Sequence, residues 1–190
     1  MSNSNNTHIP YSPSPDFNRK INLAATVMQS ISAVWISLVI WQIFHLWSDR
    51  QAIVENFGRR LHTDLSLLPT EHYVIAVGLV ILDVVLVISL AIQIWRLASI
   101  YRSGAVFSEA AALALQKLAY AGAITLSADI AIRHLVILVL TLHHPDGPTF
   151  GGLWLTSQDL IYGIMVLFIF MLAGIFRAAA KMAEEQAGII

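Results

Sequence analysis

Residues 73–95 read YVIAVGLVILDVVLVISLAIQIW, and this stretch decides the fold. It holds a single ionisable side chain, Asp83, among its 23 residues. A helix of that length measures about 35 Å at a rise of 1.5 Å per residue, and the hydrocarbon core of a bilayer is about 30 Å thick. The stretch therefore predicts a helix that crosses a membrane.

Three further stretches have a similar length and apolar character. The chain of 190 residues is 57% hydrophobic and 12% charged, whereas soluble domains average about 25% charged residues. Its mean hydropathy is +0.69. We therefore predict an all-α integral membrane four-helix bundle, with the lipid bilayer as its first partner. The four spans are expected at about residues 21–47, 73–95, 118–142 and 160–176.

A polar leader precedes the first span. Residues 1–18 contain Pro10, Pro13 and Pro15 and few apolar side chains, so we predict a disordered tail, followed by one membrane domain over 19–190. The apolar part of the first span exceeds the core of a signal peptide, which has about 7–15 residues, so we expect this span to be retained.

The lysines and arginines between the spans predict the orientation, because cytoplasmic loops carry an excess of these residues. Seven of them fall on the side of the two termini and three on the other side. Both termini are therefore expected in the cytoplasm. The seven are Arg19, Lys20, Arg96, Arg102, Lys117, Arg177 and Lys181, and the three are Arg50, Arg59 and Arg60.

The first outer loop has a helical pattern of its own. Apolar residues recur near helical spacing from Ile53 to Leu68, with Arg59 and Arg60 among them. This pattern predicts an amphipathic helix that ends at Pro69. Two alternatives remain open, namely a helix lying on the outer membrane face and a loop helix that packs on the bundle.

The connection between the second and third spans carries signals for a helix end and a new helix start. Gly104 suits a left-handed C-cap, and Ser108 suits an N-cap. Glu109 places an acid in the following turn, where the helix dipole favours it. The third long helix is therefore expected to begin near Glu109, well before the membrane.

The same connection carries a family resemblance. The segment 100–122, IYRSGAVFSEAAALALQKLAYAG, resembles the signature of the bacterial membrane family DUF2975, and the ending FRAAAKMAEEQAGII resembles that family's usual C-terminus. The chain lacks the arginines that the family often has after the turn. The resemblance implies a four-helix protein of the bacterial inner membrane without known chemistry. The matching positions are Gly104, Phe107, Ser108, Leu118 and Gly122 in the turn and helix, and Glu184 and Glu185 near the end.

Ionisable residues inside the spans form the first candidate site. Asp129 and Arg133 are four residues apart, so they face the same side of one helix and are expected to pair. Asp83 lies at a similar depth in the neighbouring span, and His134 adjoins Arg133, so the four predict one polar cluster. Two interpretations stay open: a proton or ion relay or ligand counter-ion, and a structural clasp that sets helix register.

Histidines near the outer ends of the spans form a second and weaker candidate. They could bind a metal together with nearby acids, or a pair of them could ligate haem. No tight ligand spacing such as His-x-x-x-His occurs, so we expect scattered interfacial histidines, with no metal and no cofactor. The residues concerned are His45, His72, His143 and His144, with His62, Asp64, Glu71, Asp146 and Asp159; the haem pair would be His45 with His134 or His143.

The chain has no recognisable catalytic motif. Cysteine is absent, as are Gly-x-Ser-x-Gly, P-loop and His-Glu-x-x-His patterns, so we expect no enzyme. A net charge of −1 without a basic cluster argues against a nucleic-acid partner. Thr26, Ser30, Ala33 and Ser37 share one face of the first span, a pattern typical of helix packing.

These observations predict a non-enzymatic membrane protein that regulates, senses or assembles with another protein, or forms a homo-oligomer. The alternative is transport of a proton, ion or small ligand, or binding of a redox cofactor, centred on Asp83, Asp129 and Arg133.

Overall fold

Five helices make up the described part of the chain. The computed structural model describes residues 15–104, 106, 108–144 and 155–187, with backbone alone at 15–18 and 183–187. Four of the helices are long and apolar enough to cross a membrane, and the described residues contain no strand, which confirms the all-α prediction. The helices are α1 (Pro15–Trp47), α2 (Arg50–Leu61), α3 (Thr70–Arg102), α4 (Glu109–Thr141) and α5 (Ser157–Ala187).

The long helices extend beyond the predicted spans. Helix α4 has 33 residues, which corresponds to about 50 Å and exceeds the hydrocarbon thickness of about 30 Å. Helix α1 begins at Pro15, so residues 15–18, which the sequence assigned to the tail, are helical. Proline suits a first helical turn because its missing N–H would have no partner there. Residues 1–14 lie outside the described residues.

The long helices pack in chain order. Helix α1 lies against α3, α3 against α4, and α4 against α5. Among the described residues, α1 and α5 make no contact of comparable extent, so the closed four-helix bundle is not confirmed. Helices α1 and α3 run antiparallel, because Tyr73 near the start of α3 donates a hydrogen bond to the carbonyl of Trp47 at the end of α1, and Arg102 at the end of α3 donates to Gln29 of α1.

Two apolar clusters hold this row together at its opposite ends. We call them the α2 end and the Gly104 end. The α2 end also carries Arg133, which lies in sequence between two members of that cluster, Ile132 and Val136. The α2 end contains Ile53, Leu68, Ala76, Ile132, Val136 and Leu140, and the Gly104 end contains Leu97, Ala114, Leu115, Leu118 and Ala173.

Helix α2 is shorter than predicted. It ends at Leu61, and His62 follows with a φ of +51°, so the prediction of a helix reaching Pro69 is wrong. The carboxylate of Asp64 accepts a hydrogen bond from the amide of Ser66 at 2.9 Å, a local turn that competes with helix. Ile53 is fully buried in the α2-end cluster. This favours the second alternative for the loop, a helix that packs on the rest of the chain.

The turn between α3 and α4 has the predicted conformation. Gly104 adopts a φ of +81°, and its amide donates to the carbonyl of Tyr101 at 3.1 Å. The hydroxyl of Ser108 accepts from the amide of Ala111 at 3.2 Å, and α4 begins at Glu109. Phe107, the other predicted turn residue, lies outside the described residues.

Substitution of Gly104 should therefore act through the backbone. A Cβ at this position would meet no atom within 4 Å, so a larger residue causes no steric clash there. We expect Gly104→Val to lower the free energy of unfolding by about 1–2 kcal/mol, because a left-handed conformation disfavours a β-branched residue. Gly104→Asn should be milder, since Asn tolerates this conformation. Equal unfolding curves in detergent for Gly104→Val and the native protein would contradict this expectation.

Gly122 has a different role, in the packing of α4 on α5. A Cβ there would lie 3.1 Å from Cγ2 of Val166, whereas a Cβ at Gly174 would meet nothing within 4 Å. Alanine is intrinsically better than glycine inside a helix by about 0.5–1 kcal/mol. We expect Gly174→Ala to gain that amount, and Gly122→Ala to gain less or to lose stability through crowding. Equal gains in unfolding free energy for Gly122→Ala and Gly174→Ala would show that the close approach of Val166 to Gly122 does not limit the side chain at that position.

Candidate functional site

Arg133 is the centre of the polar site. One guanidinium nitrogen lies 3.0 Å from Oδ1 of Asp159, and the other lies 3.3 Å from Oδ2 of the same carboxylate. This two-pronged geometry matches the planar guanidinium to the planar carboxylate. Because Arg133 belongs to α4 and Asp159 to α5, the pair ties the two helices together near the α2 end.

The start of helix α5 positions Asp159. The amide of Thr156 donates to Oδ2 of Asp159 at 2.7 Å, and the amide of Asp159 donates to the hydroxyl of Thr156 at 3.2 Å. These reciprocal bonds form a capping box. The side chain of Asp159 is only 4% exposed, so its negative charge is compensated by the helix start and by Arg133 together.

Asp129 is the second partner of Arg133, as the sequence predicted. Its Oδ2 lies 2.5 Å from a guanidinium nitrogen of Arg133, one helical turn away on α4. The side chain of Asp129 is 43% exposed, against 4% for Asp159. The pair within α4 therefore orients Arg133, while the pair with Asp159 makes the connection between helices.

Asp83 lies near this site without bonding to it. It interacts electrostatically with Asp129 and Arg133 across the interface of α3 and α4. Its Oδ1 atom is buried and has no hydrogen-bond partner among the described residues. The predicted three-residue cluster is thus an Asp129–Arg133 pair with Asp83 beside it.

The partner of Arg133 that the sequence did not predict is Asp159. The sequence groups Asp159 with the outer histidines and acids, and the structure places its carboxylate against Arg133. A local signal was present, since Thr156 and Asp159 have the spacing of a capping box before an apolar run. That pattern predicts the helix start, but it does not identify the cation across the interface.

Two of the predicted histidines, His134 and His45, contact residues of their own helices. Nδ1 of His134 lies 2.6 Å from the carbonyl of Ile130 on its own helix. The ring of His45 lies against Trp41, with 5.6 Å between ring centres, so this contact gives no support to haem ligation by His45. Among the described residues, no group of three histidines or acids is placed to hold a metal ion.

His72 and His143 are the exception, since their rings meet edge to face at 5.7 Å between centres. Nδ1 of His72 is buried without a hydrogen-bond partner among the described residues. Nearby in sequence, the amide and hydroxyl of Ser66 hold the pKa of Asp64 below its ordinary value, and His144 acts in the same direction. Asp146 of the predicted set lies outside the described residues.

The small-residue face of α1 is exposed. Thr26, Ser30, Ala33 and Ser37, which we call the α1 small face, are not covered by any described part of the chain. The hydroxyl of Thr26 donates to the carbonyl of Asn22 at 2.8 Å, and that of Ser37 to the carbonyl of Ala33 at 2.9 Å. These two hydroxyls are satisfied on their own helix, so the packing of another helix against this face leaves neither of the two donors unpaired.

Four apolar helices with an interhelical Arg–Asp pair define a small polytopic helical membrane protein. A family model described as protein of unknown function, DUF2975, matches residues 56–190, which is more than two thirds of the chain. The chain therefore belongs to the DUF2975 family. No curated protein and no solved structure gives a significant match.

Proposed function

We propose that this protein is a non-enzymatic partner subunit of the bacterial inner membrane, which regulates, senses or assembles with another membrane protein or a second copy of itself. The observation that carries the proposal is the exposed α1 small face. Helix α1 packs along α3, and the small face lies to the side of that contact. In lipid, small residues allow two helix backbones to approach closely, and such approach drives association there.

The side of α1 that packs on α3 also consists of small residues, and this supports the proposal. Ala25 and Ser32, which point toward α3, are buried, whereas Ser30 and Ala33 on the neighbouring side are exposed. Helix α1 therefore carries small residues on two sides, and the chain itself covers one of them. A second helix on the other side would be packed in the same manner.

Substitution of Ala33 tests the proposal. We expect Ala33→Phe to abolish co-purification from mild detergent of the partner, or of a second, differently tagged copy. Ile31→Phe is the matched control, because Ile31 is 64% exposed on another side of the same helix. Recovery of the native protein alone and monomeric in several mild detergents, and in cross-linked native membranes, would refute the proposal.

The proposed orientation places both termini in the cytoplasm. Seven of the ten basic residues outside Arg133 lie toward the Gly104 end and the termini. A reporter fused after Ile190 should therefore be active only in the cytoplasm, and one inserted near Gly147 only outside. The opposite pattern would reverse the orientation without changing the fold.

A second candidate function rests on Asp83. A buried carboxylate oxygen without a partner is costly, and ionisable residues inside a membrane usually serve a pathway or a ligand. Transport of a proton, ion or small ligand at Asp83, Asp129 and Arg133 is therefore the alternative. Binding of a redox cofactor at the same residues is a further form of this alternative. A colourless purified protein would exclude haem as that cofactor.

Asp83→Asn distinguishes the two candidates. We expect this variant to be about as stable as the native protein, because Asn has nearly the same shape and no hydrogen bond of Asp83 to the described residues is lost. If Asp83 carries protons, the variant should also lose proton uptake in proteoliposomes. Loss of stability would instead show that Asp83 contributes to packing. Unchanged partner recovery in this variant would favour the subunit proposal.

A further inference from the structure

A groove on the surface of α3 is lined mainly by apolar side chains and contains one arginine, Arg96. Its volume is about 590 Å³, within the range of about 300–1,000 Å³ that is common for small-molecule sites. Helix α1 contributes Ile36 to its wall, and α3 contributes residues from Ile88 to Ile100. That part of α3 is about 18 Å long at 1.5 Å per residue.

The chemistry of the groove changes along α3. Its first part has an aliphatic wall, with Ile36, Ile88 and Ile92, which all lie inside the predicted spans. Trp95 and Arg96 follow at the end of the predicted span, and the groove continues past them to Ser99 and Ile100. Trp is enriched at this level of a bilayer, where its ring is apolar and its N–H reaches polar groups.

Arg96 is available for a ligand. It is exposed, and it takes no part in the hydrogen bonds and ion pairs of the described residues. Arg102, six residues further along α3, differs because it donates to the side-chain oxygen of Gln29 at 3.0 Å. A guanidinium beside an apolar groove matches a phosphate group attached to an acyl chain.

We propose that this groove binds an anionic phospholipid, with the acyl chain along Ile88 and Ile92 and the phosphate at Arg96. Basic pockets between membrane helices bind the headgroups of such lipids. The charge of Arg96 selects an anionic headgroup, and the aliphatic wall requires a lipid rather than a soluble phosphate.

Trp95 provides the probe for a test. The protein is reconstituted in vesicles containing brominated phosphatidylglycerol or brominated phosphatidylcholine, and quenching of tryptophan fluorescence is measured. The signal of Trp95 is the difference between the native protein and Trp95→Phe, since the chain has five tryptophans. We expect stronger quenching of this signal by phosphatidylglycerol.

Two arginine variants form the matched comparison. Arg96→Gln should weaken the preference for phosphatidylglycerol about fivefold, the factor that corresponds to about 1 kcal/mol per arginine at a membrane surface. Arg102→Gln, which removes the same charge from the same helix outside the groove, should leave the preference nearly unchanged. Ile92→Phe, which fills the aliphatic part of the groove, should reduce quenching by both lipids.

Three outcomes would overturn the proposal. Equal quenching of Trp95 by both lipids would show that there is no selective site. An equal loss of the preference for phosphatidylglycerol in Arg96→Gln and Arg102→Gln would show a general effect of surface charge. Loss of this preference when soluble glycerol phosphate is added would show that the site binds free anions. Unfolding curves in detergent confirm beforehand that each variant is folded.

Discussion

Arg133→Ala should lower the free energy of unfolding by about 3–5 kcal/mol, because it leaves the carboxylate of Asp159, which is only 4% exposed, without its cation. Arg133 is bonded to the carboxylates of Asp129 and Asp159, and Asp83 lies within electrostatic range. Its removal therefore leaves three acids close together without a cation. Unfolding in mixed detergent, followed by circular dichroism, measures the loss.

Controls separate this effect from a general loss of positive charge. Arg177→Ala removes an exposed arginine from α5 and should change the unfolding free energy by less than about 0.5 kcal/mol. The double variant Arg133→Ala with Asp159→Asn should be less destabilised than the two single losses combined, because one stranded charge is gone. Simple additivity would mean that the two residues are not coupled, and the interhelical pair would have to be abandoned.

Asp159→Ala should be the second most damaging change and should cost about 3 kcal/mol or more, because a buried partner of Arg133 is removed. The same change also removes an acceptor for the amide of Thr156. Asp129→Ala should cost about 1 kcal/mol or less, since its side chain is 43% exposed and its bond lies within one helix. This order is the opposite of what the sequence suggests, because Asp129 is the more obvious partner in sequence.

Thr156→Val tests whether the effect of Asp159 comes from helix capping alone. It removes the hydroxyl that accepts from the amide of Asp159 and leaves the carboxylate in place. The loss of a cap of this kind costs about 1 kcal/mol. Equal losses of unfolding free energy for Thr156→Val and Asp159→Ala would show that Asp159 stabilises the protein only by capping α5. A loss from Asp129→Ala that equals or exceeds that from Asp159→Ala would contradict the assigned geometry.

Local rules were sufficient for several features. The four long helices follow from runs of apolar residues, and the turn follows from the conformational freedom of Gly104 and the capping hydroxyl of Ser108. The bond between Asp129 and Arg133 follows from helical spacing. Each of these features depends on residues within a few positions of one another, so it could be predicted without knowledge of the packing.

Other features depended on how the helices pack. The partner of Arg133 on α5 is 26 residues away in the chain, and the sequence between them does not specify which sides of α4 and α5 meet. In soluble helices an apolar stripe indicates the inward side. Membrane helices such as α3 are apolar on every side, so the pattern carries little information about rotation around the helix axis.

The sequence by itself determined that this protein has four helices long and apolar enough to span a membrane, where the turn between α3 and α4 lies, and that Asp129 pairs with Arg133. These features are set by local apolarity, backbone conformation and helical spacing. Only the tertiary structure decided that Asp159 completes the site, that the described helices pack in a row, and that no described residue covers the α1 small face. These depend on the rotation and order of helices whose surfaces are almost uniformly apolar, and long-range packing alone selects among such arrangements.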